Sequence, residues 1–289
     1  MRLKKKYSVI AWGMIGPAVL LIVFTKFYPI FEAFRVSLTS GTGLNQTYVG
    51  ISNYARVLED GLFKTALFNT VFYLIQVPIM LILALILASL LNSSSLKLKG
   101  IFRTAIFLPC IMATVSYSMV FRTLFSKAGM INSFLMNLGI IDVPIAWLES
   151  AWIARIVIVV AMTWRWTGYN TIFYLAGLQN IEYSVYEAAK IDGANGWKTF
   201  WKITVPLLKP TIIMTFIMSI NGTLQLFDES VNLTKGGPAN TTITMSHYVY
   251  NTCFINVPNF GYAAAMSFII FIMVAILAFI NLKVGDTRD

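Results

Sequence analysis

Side chains able to do chemistry are scarce in this chain, and most sit where polar groups are expensive. Three long apolar stretches carry them in mid-run. One holds Thr114, Ser116, Tyr117 and Ser118. A second holds Trp164-Arg165-Trp166-Thr167-Gly168-Tyr169-Asn170. The third holds Asn221-Gly222-Thr223-Leu224-Gln225-Leu226 and runs out to Phe227-Asp228-Glu229. Such groups are costly at membrane depth and usually face a cavity. Arg165 alone costs roughly 2.5–3.5 kcal/mol at mid-helix, so it is expected to face protein or water, with Asp228 and Glu229 as candidate partners. Ordinary uses compete with these: an interfacial belt for Trp164 or Trp166, and helix-to-helix bonding for the hydroxyls.

Enzyme chemistry finds little to work with. The single histidine, His247, reads as a loop residue, and no histidine pair has metal-ligand spacing. No glycine-rich run ending in lysine could cradle phosphates, so ATP would have to bind elsewhere. Cys110, in an apolar run, and Cys253, in a polar one, read as two unpaired thiols. The expectation is a chain without catalysis, cofactor or metal.

The elements holding these residues follow from composition. The chain has 289 residues, 57% hydrophobic and 12% charged, against roughly 25% charged in soluble domains. Lipid must be its solvent. Six segments reach the roughly 20 apolar residues that cross a bilayer: 9–28, 68–91, 101–121, 154–175, 207–227 and 262–283. Backbone groups in lipid are satisfied internally, so the expected fold is all-α, a single membrane domain over 1–289. Pro17, Pro78 and Pro109 predict bends in the first three spans. The first run is longer than a signal peptide's apolar core and reads as a retained span.

The net charge of +10 does not mark a nucleic-acid binder, because the basic residues lie in short segments between apolar runs. Arg2, Lys4, Lys5 and Lys6, then Lys97, Lys99 and Arg103, then Lys190, Lys198, Lys202 and Lys209, then Lys283 and Arg288 fall on one side. That richer side is expected to face the cytoplasm, with both termini. The opposite loops, Pro29–Leu67 and Asp228–Gly261, are rich in turn formers, including Gly236-Gly237-Pro238.

A polar loop, 178–206, interrupts the pattern on the cytoplasmic side. Ser184-Val185-Tyr186-Glu187 predicts a capping box, with Ser184 capping a helix and Glu187 bonding back. Ala188 and Ala189 would leave a face with little bulk, open to close approach by another protein. Asp192-Gly193 predicts a stop, because glycine accepts the left-handed conformation that ends helices. An amphipathic piece follows, with Trp197, Phe200, Trp201 and Ile203 on one side and Lys198 and Lys202 on the other.

The run Glu187-Ala188-Ala189, Asp192-Gly193-Ala194, Phe200, Ile203, Pro206 and Pro210 resembles the EAA loop of permease subunits in bacterial ABC importers. The resemblance covers nearly the whole chain. It points to the carbohydrate branch, similar to maltose, glycerol-phosphate and multiple-sugar permeases. Gly50-Ile51-Ser52-Asn53-Tyr54, Phe107-Leu108-Pro109, Thr234-Lys235-Gly236-Gly237-Pro238 and Phe260-Gly261-Tyr262-Ala263-Ala264-Ala265 resemble that branch's signatures. One departure is Glu182, where the family usually has proline, which would shift the helix start toward Ser184.

The resemblance implies a non-catalytic permease in the bacterial cytoplasmic membrane that forms the pathway for a sugar, an oligosaccharide by preference. It implies as partners a second permease subunit (a distinct paralogue by family habit), a cytoplasmic ATPase dimer and an extracytoplasmic sugar-binding protein. Glu187, Ala188, Ala189, Asp192, Gly193 and Ala194 would couple to the ATPase. Aromatic faces suit sugar C–H surfaces, and amides and carboxylates suit hydroxyls. The resemblance to maltose-type permeases implies sugar contacts on the third, fourth and fifth spans at positions including Thr114, Trp166, Tyr169, Thr223 and Leu226, and Tyr117, Asn170, Asn221, Gln225 and Asp228 would join the substrate path by their chemistry. Gly236, Gly237 and Pro238 would touch the binding protein, unless they only stabilise a turn. The alternatives are an ion-coupled secondary transporter, which would need acidic groups in mid-span, or a related permease for glycerol phosphate, amino acids or polyamines.

Overall fold

The structure, a computed structural model, describes residues 2–42, 45–93 and 96–285. The side chains of Arg2, Lys4, Lys5 and Lys6, and the whole of Arg288, lie outside the described residues. The chain forms two compact units, Met1–Asp60 with Val249–Ile272, and Gly61–Tyr248 with Met273–Asp289.

In the first unit, α1 (Arg2–Ile22) runs through a wide turn at Val23–Phe27 into α2 (Tyr28–Ser37). The stretch Ala11–Ser37 is long and apolar enough to cross a membrane. Pro29–Leu67 was expected to be loop and is instead built. A hairpin of β1 (Thr39–Thr42) and β2 (Asn45–Tyr48) pairs Thr39 with Tyr48, and α3 (Ser52–Glu59) follows. The fold is predominantly helical, as expected, with this one two-stranded sheet added among the described residues. The reason is local: Asn53, buried, donates to the carbonyls of Ser37 and Thr39 at 2.8 Å each and fixes the chain between α2 and α3. Tyr262 closes the same unit by donating to Asp60 at 2.5 Å beneath the Arg56 guanidinium.

The second unit holds α4 (Gly61–Phe72), α5 (Gln76–Asn92), α6 (Lys99–Ile111), α7 (Thr114–Leu124), α8 (Met130–Asn137) and α9 (Ala151–Gln179). After them come α10 (Tyr183–Ile191), α11 (Gly196–Thr199), α12 (Val205–Leu207) and α13 (Lys209–Leu224). Two last helices, α14 (Met245–Tyr250) and α15 (Phe260–Gly285), straddle the unit limits. The core is the seam of α5 on α9. Val77, Met80, Leu81, Ala84, Leu85, Ala88 and Leu91 meet Tyr174, Leu175 and Leu178. Ala84 and Ala88, four apart, let the helix backbones approach, the device that membrane helices use in place of a hydrophobic drive.

Prolines and polar residues decide where the spans deviate. Pro78 would clash with the carbonyl of Leu74, and the chain tightens to a 3₁₀ turn at Tyr73–Ile75 while Gly61–Asn92 remains one membrane-length run. The expected third span is not continuous. Pro109 stays inside α6, and the break falls at Met112–Ala113, where α6 and α7 meet at 99°. The fifth is also bent, by 69°, between Leu207 and Lys209. The expected fourth lies within α9, whose 29 residues reach about 43 Å at 1.5 Å per residue. Its two arginines and the Trp164–Asn170 run make it the least apolar of the expected spans. Among the described residues, three runs are long and apolar enough to cross a membrane, or five if each bent pair is one span.

Candidate functional site

Breaking a helix strands backbone carbonyls, and the gap between α6 and α7 is where Arg165 is used. From α9 its guanidinium donates to Thr114 Oγ1 at 2.9 Å, in the first residue of α7, and to the Met112 carbonyl at 3.4 Å. Its counter-charge is Glu229, at 3.7 Å; of the two acids expected as partners, Asp228 stays exposed. Tyr117 donates to Glu229 at 2.6 Å, and its ring lies 4.6 Å from the guanidinium. Cys110 donates to the Arg165 carbonyl at 3.0 Å, binding α6 to α9 from the other side.

Beside this cluster lies a cavity of about 460 Å³, within the range of roughly 300–1,000 Å³ typical of small-molecule sites. One wall is an aromatic row on α9. Trp166 meets Tyr169 edge-on at 5.7 Å, and Tyr169 meets Phe173 at 5.0 Å. The spacing i, i+3, i+7 puts all three on one helix face. Opposite are Thr215, Ser219, Thr223 and Gln225 of α13 and its end, with Gln76 of α5. Gln76 donates to Thr223 Oγ1 at 3.0 Å, which leaves its buried carbonyl oxygen without a partner. The charged lining residues are Arg165, Glu229 and Asp228, so the one cation already faces an anion.

Of the residues expected on a substrate path, Thr114, Trp166, Tyr169, Asn170, Thr223, Gln225, Leu226 and Asp228 line this cavity. Tyr117 and Asn221 do not. Tyr117 is fully buried under Arg165, and Asn221, two residues before Thr223, falls on another face of α13. Gln76, Met80 and Phe173 were missed. Gln76 left a signal: with Asn69 it is one of two amides inside the long apolar run 68–91.

The segment after α13 is pinned rather than loose. His247, expected in a loop, sits buried in α14 and shares a 2.9 Å hydrogen bond with Ser230. Burial pushes its imidazole pKa down, toward the neutral form. Thr244 donates to the Leu226 carbonyl at 2.6 Å, and Asn69 donates to the carbonyls of Thr241 and Ile243 at 2.8 Å each. Of the turn Gly236-Gly237-Pro238, the first residue is closed off and the other two are partly exposed. Gly236 is buried with φ +75°, and a Cβ there would lie 3.2 Å from the His247 ring. The exposed part of this turn is Ala239–Asn240.

The polar loop 178–206 folds as two short helices about a corner. The capping box does not form. Glu182, not Ser184, is the N-cap, and Ser184 donates to the Glu182 carboxylate at 3.3 Å. The stop is where glycine predicted it. α10 ends at Ile191, Gly193 takes φ +72°, and the Ala194 N–H donates to the Ala189 carbonyl at 2.9 Å. Ala189 is therefore turned inward, and the low-bulk exposed face is that of Glu187 and Ala188 alone. Tyr183 and Ile191 are exposed beside them. Asn195 caps α11 by accepting the Lys198 N–H at 2.9 Å, and a wide turn over Phe200–Thr204 leads through α12 into α13.

Membrane-length helices, two of them broken and one of those breaks beside a lined cavity, are the architecture of a membrane pathway component. The chain belongs to the family of binding-protein-dependent transport system inner membrane components, whose model matches residues 49–286. It is therefore a membrane-spanning component of an ABC transport system. The chain is 50% identical over 289 residues to the lactose transport system permease protein LacF of Rhizobium radiobacter, covering 99% of this chain and 97% of that one. It is 35% identical over 276 residues to the arabinooligosaccharides transport system permease protein AraP of Bacillus subtilis (strain 168), covering 94% and 87%. It also superposes with a TM-score of 0.85 on a chain of a bacterial alginate ABC transporter, solved with a periplasmic protein bound to alginate pentasaccharide. There the identity is 21%, with 99% of this chain and 98% of that one covered. At that identity the likeness shows the fold alone.

Proposed function

We propose that this chain, with a second permease subunit, forms the translocation pathway of an ATP-driven importer for an uncharged di- or oligosaccharide. The observation that carries the reading is the cavity: an aromatic row on one wall, hydroxyls and amides on the other, and its single cation facing Glu229. Stacking faces and hydrogen-bond formers are what a sugar's two surfaces require. A phosphate would meet Asp228 and Glu229 without a free counter-charge, which disfavours glycerol phosphate. The lactose and arabinooligosaccharide relatives agree with a neutral glycan.

In this reading six spans form one permease domain, with α9 as the fourth and both termini cytoplasmic. The corner helices α10 and α11 dock on a separate ATPase dimer through Glu187, Ala188, Asp192 and Gly193, with Ala189 and Ala194 closing the corner. The turn at Gly236–Asn240 meets an extracytoplasmic sugar-binding protein. ATP binding would shift the pathway between inward-open and outward-open states by its different affinity for each.

The test is uptake of labelled lactose, raffinose and glycerol phosphate by the assembled transporter in liposomes. The expected result is sugar uptake that needs enclosed ATP and the binding protein, reduced at least tenfold by Trp166→Ala. Uptake driven by a proton or sodium gradient without ATP would overturn the importer reading, and preference for glycerol phosphate would overturn the substrate class.

A further inference from the structure

The amphipathic segment after the Gly193 corner does not close fully on the helices behind it. Between it and α5 lies a second cleft of about 250 Å³. Ile82 and Ile86 form one side, Trp197, Phe200 and Trp201 the other, and Tyr174 the back. The Tyr174 hydroxyl is engaged by Thr215 at 2.8 Å, so the surface left to an occupant is hydrocarbon and aromatic ring. A protein segment placed there would find no partners for its backbone N–H and C=O groups, which is costly away from water. An acyl chain has no such groups.

The rim supplies the second observation. Trp197 and Trp201 are four residues apart and pack edge-on at 5.8 Å. Lys198 and Lys202 repeat that spacing one position along, both exposed, and neither forms an ion pair among the described residues. Aromatic rings lining an apolar slot, with exposed lysines on the polar side of the same segment, match an anionic lipid whose tail lies inside and whose headgroup is reached by the flexible lysine stems.

We propose that this cleft is a binding site for one acyl chain of an anionic phospholipid, whose headgroup is held by Lys198 and Lys202. The site spans α11 and the wide turn that follows it, so its occupancy would brace that stretch against α5. The inference rests on the chain being a membrane component and not on which solute it carries.

The experiment uses the assembled transporter in nanodiscs doped with brominated-chain phosphatidylglycerol or brominated-chain phosphatidylcholine. Tryptophan fluorescence is compared between the natural chain and a Trp197→Phe/Trp201→Phe variant, so that the difference isolates these two rings. Brominated phosphatidylglycerol should quench the difference signal at about a tenfold lower mole fraction than brominated phosphatidylcholine. Lys198→Gln/Lys202→Gln, both at exposed positions, should remove that preference and leave the weaker quenching. Two outcomes overturn the site: no quenching by either lipid, as when the companion permease covers the cleft, or equal quenching by both with the lysines present. Uptake is not the readout, so an error about the cargo leaves the result interpretable.

Discussion

An arginine inside a membrane helix must be matched, and Arg165 is matched by three groups from two places in the chain. Thr114 and Met112 come from the α6–α7 break, and Glu229 from the segment after α13. Removing one member of a buried ion pair strands the other at a cost of roughly 3–5 kcal/mol, whereas replacing both can be near neutral. Arg165→Met and Glu229→Gln should therefore each lower the thermal midpoint of the purified transporter more than Arg165→Met/Glu229→Gln does. Additive losses in the double variant would mean the two side chains act separately. The sequence made part of this legible: it marked Arg165 as needing a partner and named the two acids, but could not choose between adjacent residues. Tyr117 and Asn221 show the matching limit. Polarity in an apolar run marks a residue as special, yet which face of the helix it occupies depends on packing partners that are distant in sequence.

At the level of elements, closeness and corners carry the architecture. α6 and α9 approach so tightly at Gly168 that a Cβ there would drive into the Ile106 carbonyl oxygen. Overpacking of this kind costs about 1–3 kcal/mol, so Gly168→Val should cut the yield of folded protein by size-exclusion profile, while Gly222→Ala, which meets nothing within 4 Å, should not. The corner between α10 and α11 depends on Gly193 at φ +72°, a conformation that proline's fixed negative φ forbids. Gly193→Pro and Glu187→Lys should each abolish ATP-dependent uptake while leaving the chain in the membrane fraction. Near-normal uptake by both would remove the docking assignment. The stop at Asp192-Gly193 was readable because it is a one-residue conformational requirement. The capping box was not, since Ser184 found the Glu182 carboxylate as a competing partner. The span break escaped for a similar reason: Pro109 was the obvious suspect, but the helix survives it and gives way three residues later, where Arg165 can take up the Met112 carbonyl.

For the molecule as a whole, the distribution of basic residues predicts an orientation that chemical labelling can check. In a background with Cys110 and Cys253 replaced by serine, Asn240→Cys should react with a membrane-impermeant maleimide in intact cells. Lys190→Cys should react only after the membrane is opened. The reverse pattern would invert the topology and separate the corner helices from any cytoplasmic ATPase. Membrane character and helix content were open to reading because composition alone excludes an aqueous surface. The built segments 38–42 and 45–60 were hidden, since the chain between α2 and α3 is held by one asparagine reaching two carbonyls 14 and 16 positions away.

The helix α13 begins just past the bend at Leu208 and reaches the cavity wall at Thr223, its last residue but one. Its 16 residues make a strut of about 24 Å. Any displacement of the segment before Lys209 would have to pass the 69° bend before travelling along this strut to the cavity wall, so the stiffness of that bend sets how much of it arrives.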